Sequence, residues 1–326
     1  MRILLLLTLL LTCSAAALGQ TAEAPRFEEL VRQFDYDAKA PFDVREVGRE
    51  HRDGATVIDL TYAGARGGRV PAYLILPGYG RGRFAAVLYG HWMMPGSPLK
   101  SRREFLEEAL VMARAGAVSL LIDAPYVRPG FVAEKDEARE AAQSAEVARQ
   151  QVIDFRRGLD LLLARGDVDA KRVAYVGHSF DAHVGAILAG VEKRVGSFVL
   201  MAGAYANEEY VFDPENKNML ALRRRLGDEA LRKYFRDYAW DDPVHFVGHS
   251  SPASVFLQFG RRDEPIPEKM ARRDFARFGE PKRVGFYDAG HALDAAARRE
   301  RVEWLAGRLS LRRPDFKALA RIPELK

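Results

Sequence analysis

The chain has 326 residues, 48% of them hydrophobic and 29% charged, enough apolar side chain for one sizeable core. Lys and Arg number 50 against 45 Asp and Glu, a net charge of +5. The arginine doublets and triplets are scattered among acids, which excludes the one-sided basic face of a nucleic-acid-binding protein. Cys13 is the only cysteine, which excludes a disulfide framework, a cysteine nucleophile and a thiolate metal site from a chain processed beyond it.

Residues 1–19 carry one early charge, Arg2, then the leucine-rich run Ile3 to Leu11, then small residues ending at Gly19. That order reads as a secretory signal peptide, and the apolar run is shorter than the about 20 residues of a membrane span. The expected location is therefore secreted or periplasmic, with residues 20–326 forming one α/β domain. Leu10 to Cys13 has the outline of a lipoprotein box, but Thr12 ahead of the cysteine disfavours a lipid anchor there.

A short helix is expected over Arg26 to Phe34. Val44 to Arg52 and Ala55 to Tyr62 read as a hairpin, because Asp53-Gly54 supplies the positive φ angles of a two-residue turn. A third strand, Val70 to Leu76, follows. From there apolar strands alternate with helices: strand Ala85 to Tyr89, helix Arg102 to Arg114, strand Ala117 to Ile122, helix Glu137 to Ala164. Such alternation predicts a mostly parallel sheet covered by helices on both faces.

Arg172 to Gly190 is the most informative stretch. The run Val173 to Val176 turns through Gly177, His178, Ser179, Phe180 and Asp181, then apolar residues recur at helical spacing. A strand entering a helix through a tight G-x-S-x turn is a nucleophile elbow, which lifts the Ser179 hydroxyl clear of the backbone at a helix N-terminus. The competing reading makes Ser179 an ordinary N-cap. Asp181 stands at the fifth position, where glycine is usual.

Beyond the elbow come strand Ser197 to Met201, a helix-rich insertion over residues 205–251 expected to form a small cap, strand Val255 to Phe259, strand Arg283 to Tyr287, and a closing helix from about Arg298 to Leu309. Ser179, Asp263 and His291 each follow the carboxyl end of a parallel strand, the edge where open α/β sheets bind ligands.

The segments GDVDAKRVAYVGHS, FGRRDEPIP and YDAGHAL, in the order Ser, acid, His, resemble the α/β-hydrolase superfamily. Within it they are similar to the dienelactone-hydrolase-like and acetyl-xylan-esterase-like branch of secreted bacterial serine hydrolases. Dienelactone hydrolases proper use cysteine where this chain has Ser179. The resemblance implies a carboxylic ester hydrolase that needs no cofactor or metal and acts on a small-molecule or carbohydrate-linked ester. Ser179 would be the nucleophile, His291 the general base and then acid, and Asp263 the group that fixes the imidazole.

The tetrahedral oxyanion would be held by the backbone N–H of Phe180 and by a second amide in the loop Gly90 to Met93. Trp92 is the expected donor, with Met93 next to it, although the fold usually has glycine where Trp92 stands. His91, Met93 and Tyr126 are candidate substrate contacts. Asp123, Asp181 and Asp288 compete with Asp263 for the acid, but Asp123 precedes the nucleophile and the other two suit a helix start and a turn. Two other readings remain: a peptidase or amidase of the same fold, and a non-catalytic binding protein on a hydrolase scaffold.

Overall fold

The structure, a computed structural model, describes residues 26–80 and 82–325, so the signal-peptide and Cys13 readings lie outside the described residues. The strands are β1 (Arg45–Arg52), β2 (Ala55–Ala63), β3 (Arg69–Pro77), β4 (Phe84–Gly90), β5 (Ala117–Ile122), β6 (Val168–His178), β7 (Ser197–Met201), β8 (Ser254–Gly260) and β9 (Lys282–Tyr287). They form one sheet in the order β1-β2-β3-β5-β4-β6-β7-β8-β9. β1, β2 and β3 run antiparallel to their neighbours, and every pairing from β5 through β9 is parallel.

The N-terminal hairpin turns where Asp-Gly predicts it, with Asp53 at φ 52° and Gly54 at φ 73°. β1 is an outer strand. It is exposed along nearly its whole length, rich in charge, and interrupted by a register shift between Glu46 and Gly48.

The helices are α1 (Phe27–Arg32), α2 (Leu106–Ala115), α3 (Glu137–Leu163), α4 (Phe180–Val191), α5 (Asn207–Phe212), α6 (Lys217–Leu226), α7 (Asp228–Asp237), α8 (Glu268–Arg277), α9 (Ala295–Arg308) and α10 (Phe316–Leu319). Two apolar cores flank the sheet. One holds Phe34, Phe155, Leu159, Tyr175, Ile187 and Phe246 under α1, α3 and α4. The other holds Phe105, Met112, Val176, Phe256 and Leu305 under α2 and α9. β5 and β7 are buried along their whole length, as a sheet covered on both faces requires.

Three details depart from the sequence reading. α2 starts at Leu106 rather than Arg102, because residues 101–105 are taken up in turns, where Asp123 Oδ1 accepts the Arg102 N–H at 2.8 Å. α8 and α10 are helices that periodicity did not reveal. α8 is dominated by arginine and acid, and buries only Met270, Ala271 and Asp274.

A buried ion pair joins the helices of the second core. Arg301 on α9 donates through Nη2 and Nε to Glu108 Oε2 on α2, at 2.6 and 3.0 Å, and both side chains are almost fully enclosed. Such a pair hardly outperforms apolar residues of equal size, but half of it is a buried uncompensated charge. Arg301→Leu is expected to destabilise the protein by about 3–5 kcal/mol. Combining it with Glu108→Met should restore most of that loss, measured by urea unfolding of both variants beside the wild type.

Candidate active site

β6 delivers Ser179 with its backbone at φ 52° and ψ −105°, a conformation that side-chain-bearing residues rarely adopt and that costs about 1–3 kcal/mol. Ser179 N–H donates to Met201 O on β7 at 2.8 Å, and Ser179 O starts α4 by accepting the Ala182 and His183 amides. The Ser179 hydroxyl makes no capping hydrogen bond to α4. This overturns the N-cap reading: the side chain points away from the helix and meets His291 Nε2 at 2.7 Å.

His291 and Asp263 reach the same point from the ends of β9 and β8. Arg261 N–H donates to Tyr287 O and Arg262 N–H to Ala289 O, which zips the two loops together. Gly260 makes this approach feasible, since a Cβ there would lie 2.4 Å from Ala289 O. His291 Nδ1 lies 2.9 Å from Asp263 Oδ2, and Asp263 Oδ1 accepts the Ile266 N–H at 3.0 Å. Because the carboxylate accepts, Nδ1 carries the hydrogen and Nε2 is free to receive the serine proton. The three residues therefore form one hydrogen-bonded chain that can turn a hydroxyl into a nucleophile.

The rival acids are occupied elsewhere. Asp123 braces Arg102, and Asp288 is exposed beside Arg262. Asp181 is fully buried, with Oδ2 accepting from Gln151 Nε2 at 3.2 Å. Its carboxyl fills the space over Gly90, where an added Cβ would come within 2.6 Å of it. The close approach usually obtained from a glycine in the elbow is thus obtained from the glycine at the end of β4.

The loop after β4 corrects two expectations. Trp92 N–H is not available to an oxyanion, because it donates to Glu104 Oε2 at 2.7 Å. His91 is not a substrate contact. It is buried, its Nε2 accepts the Ala124 N–H at 3.0 Å, its Nδ1 lies 3.0 Å from Trp92 O, and burial lowers its pKa to about 4.

These bonds orient the next amide. Tyr126 Oη also donates to Trp92 O, at 3.0 Å, so that carbonyl is held inward. In a planar trans peptide the N–H points opposite to the C=O, which turns Met93 N–H away from His91 and Tyr126. Phe180 N–H, the first of α4, has no partner within the helix.

Ser179 and His291 open into a cavity of about 640 Å³. Met93, Tyr126, Phe131, Val147, Phe180 and Ile266 give it a mainly apolar wall, and His183 with Asp241, 3.2 Å apart, add a polar one. Of the aromatics between β7 and β8, Tyr210 lines this cavity. Phe212, Tyr234, Phe235, Tyr238 and Trp240 pack against one another, and Tyr205 packs under Phe259 and Phe278. Sequence reasoning missed Asp241 and Glu104 in this region. Neither sits in a motif, and no spacing marks them.

This is the α/β-hydrolase fold, with the strand order, the elbow and the three convergent loops all in place. The structure is similar to acetyl xylan esterase 1 from Thermoanaerobacterium sp. JW/SL YS485, at a TM-score of 0.71 and 19% identity over 86% of this chain and 93% of that one. It is also similar to an acetyl xylan esterase from Paenibacillus sp. R4, at 0.67 and 16% identity over 86% and 92%. A third likeness is to the α/β hydrolase GrgF from Penicillium sp. sh18, at 0.55 and 16% identity over 81% and 100%. No protein-family model matches the sequence, and no curated protein does.

Burial raises the pKa of the Asp181 carboxyl well above its ordinary value. It holds its proton to higher pH in the folded chain than in the unfolded chain, where it ionises above about pH 4. Folding is therefore penalised increasingly as pH rises, and the penalty vanishes in acid. Asp181→Asn, isosteric with the protonated acid, is expected to raise the melting temperature near about pH 8 and to leave it nearly unchanged near about pH 4, read by thermal unfolding at both pH values.

Proposed function

We propose that this protein is a secreted serine hydrolase that cleaves carboxylic esters through an acyl-enzyme. The observation that carries the reading is the continuous chain from Ser179 Oγ through His291 to Asp263, at 2.7 and 2.9 Å, on a strained backbone beside a mainly apolar cavity.

In the first half-reaction Ser179 Oγ attacks the ester carbonyl carbon while His291 Nε2 takes its proton. Asp263 stabilises the imidazolium through Nδ1–H. The oxyanion is held by Phe180 N–H and Met93 N–H, at the positive end of α4. Collapse expels the alcohol, which receives the proton from His291. A water then repeats the sequence on the acyl-enzyme: His291 takes its proton, hydroxide adds to the acyl carbon, and Ser179 leaves reprotonated with release of the carboxylic acid. Esters suit the site, because the cavity near Ser179 offers apolar surface for a small organic group. The solved structures named for acetyl xylan support carbohydrate-linked esters as one substrate class to test.

Purified protein is expected to hydrolyse p-nitrophenyl acetate and to be labelled by a fluorophosphonate at Ser179. Ser179→Ala should lower turnover on the order of a million-fold, to background, with an unchanged melting temperature. Equal, slow turnover by both proteins would remove the esterase reading and favour a binding role for the cavity. Matched p-nitroanilides separate an amidase from an esterase, and acetylated xylo-oligosaccharides report whether sugar esters are accepted.

A further inference from the structure

Glu104 lies outside the cavity, in the turn ahead of α2, with its carboxylate almost wholly enclosed. Its two oxygens serve two different loops. Oε2 accepts the Trp92 N–H at 2.7 Å, and Oε1 lies 2.6 Å from His178 Nδ1. His178 in turn donates from Nε2 to the backbone carbonyl of His291 at 2.9 Å. A carbonyl can only accept, so Nε2 must carry the hydrogen, and one further proton lies between Nδ1 and Oε1. The Trp92 indole covers the His178 ring, with centroids 5.0 Å apart and planes inclined by 19°, which keeps water from these bonds.

The loop after β4, the last residue of β6 and the loop after β9 thus meet at one buried carboxylate. On one side it fixes the residue immediately before Met93. On the other it fixes, through His178, the main chain of His291. We propose that Glu104 is a positioning residue for ester hydrolysis, setting the oxyanion amide of Met93 and the imidazole of His291 at the correct distance from each other across Ser179. This rests on the Ser179–His291–Asp263 reading above. Glu104 touches no reacting atom. It acts by fixing two partners that must both meet one tetrahedral intermediate, where displacements of well under an ångström already weaken transition-state contacts.

The test compares Glu104→Ala and Glu104→Gln with the wild type on a soluble p-nitrophenyl ester, measuring kcat and KM separately together with melting temperature and the rate of fluorophosphonate labelling. Glutamine can still accept the Trp92 N–H through its carbonyl and donate to His178 Nδ1 through its amide. Expected for Glu104→Ala is a loss of about 100-fold or more in kcat, a change in KM of less than about threefold, and slower labelling of Ser179. Glu104→Gln should recover to within about tenfold of the wild type. A folded Glu104→Ala with kcat within about threefold of the wild type overturns the proposal, and so does a Glu104→Gln as impaired as the alanine variant.

Should Glu104→Ala not fold, His178→Phe keeps the stack on Trp92 and cuts the bond to the His291 carbonyl. A fall in its kcat at steady KM supports the proposal, and an unchanged kcat overturns it. A wild type that neither turns over esters nor labels at Ser179 overturns the parent reading and this proposal together. An active wild type with an unaffected Glu104→Ala overturns this proposal alone.

Discussion

The backbone of Ser179 is the constraint on which the rest of the site depends. A residue held at φ 52° and ψ −105° relaxes unless its neighbours forbid it, and several do. Its N–H is engaged by Met201 O, its C=O starts α4, and Tyr175 Oη donates to Asp181 O at 2.6 Å, anchoring the first turn of that helix to the strand before it. Relaxing the serine would break bonds to β7 and α4 together. The strain is sustained by a buried sheet and helix, which is why the hydroxyl is available to His291 rather than to the helix amides.

Several buried charged groups around that point meet in pairs. Glu108 meets Arg301, Asp154 meets Arg128 at 2.7 Å, Glu104 meets His178, and Asp263 meets His291. Each pair joins elements distant in sequence, so each specifies a relative placement that apolar packing alone leaves degenerate. Asp181 is not in such a pair. Its partners are the Gln151 amide and the main chain of His91, and burial raises its pKa.

Much of this was legible in the sequence where local chemistry decides the outcome. Asp53-Gly54 dictates a tight turn, β-branched runs such as Val173 to Val176 dictate buried strands, and the residues after successive strands converge because a parallel sheet leaves them no other edge. What was not legible depends on partners far along the chain. Glu104 reads as one more acid in a charged helical stretch, and only the folded chain places it between Trp92 and His178. The same holds for Trp92, whose backbone N–H is the expected oxyanion donor and is instead taken by Glu104. Its amide and ring are both drawn inward, and the cavity passes to Met93. α8 escaped notice because arginines cover most of its surface and leave a narrow apolar stripe.

Among the described residues the outer strand β1 pairs with β2 along one side and presents unpaired amides and carbonyls along the other. An edge of that kind invites a strand from another molecule. Arg45, Glu46, Arg49, Glu50 and Arg52 line it with charge, and the bulge between Glu46 and Gly48 throws its two halves out of register. An incoming strand would have to desolvate these charges and match an interrupted ladder, at a gain smaller than the loss. The sheet therefore carries its own terminator, and the exposed Val44 and Val47 can sit beside it without becoming a seed for edge-to-edge aggregation.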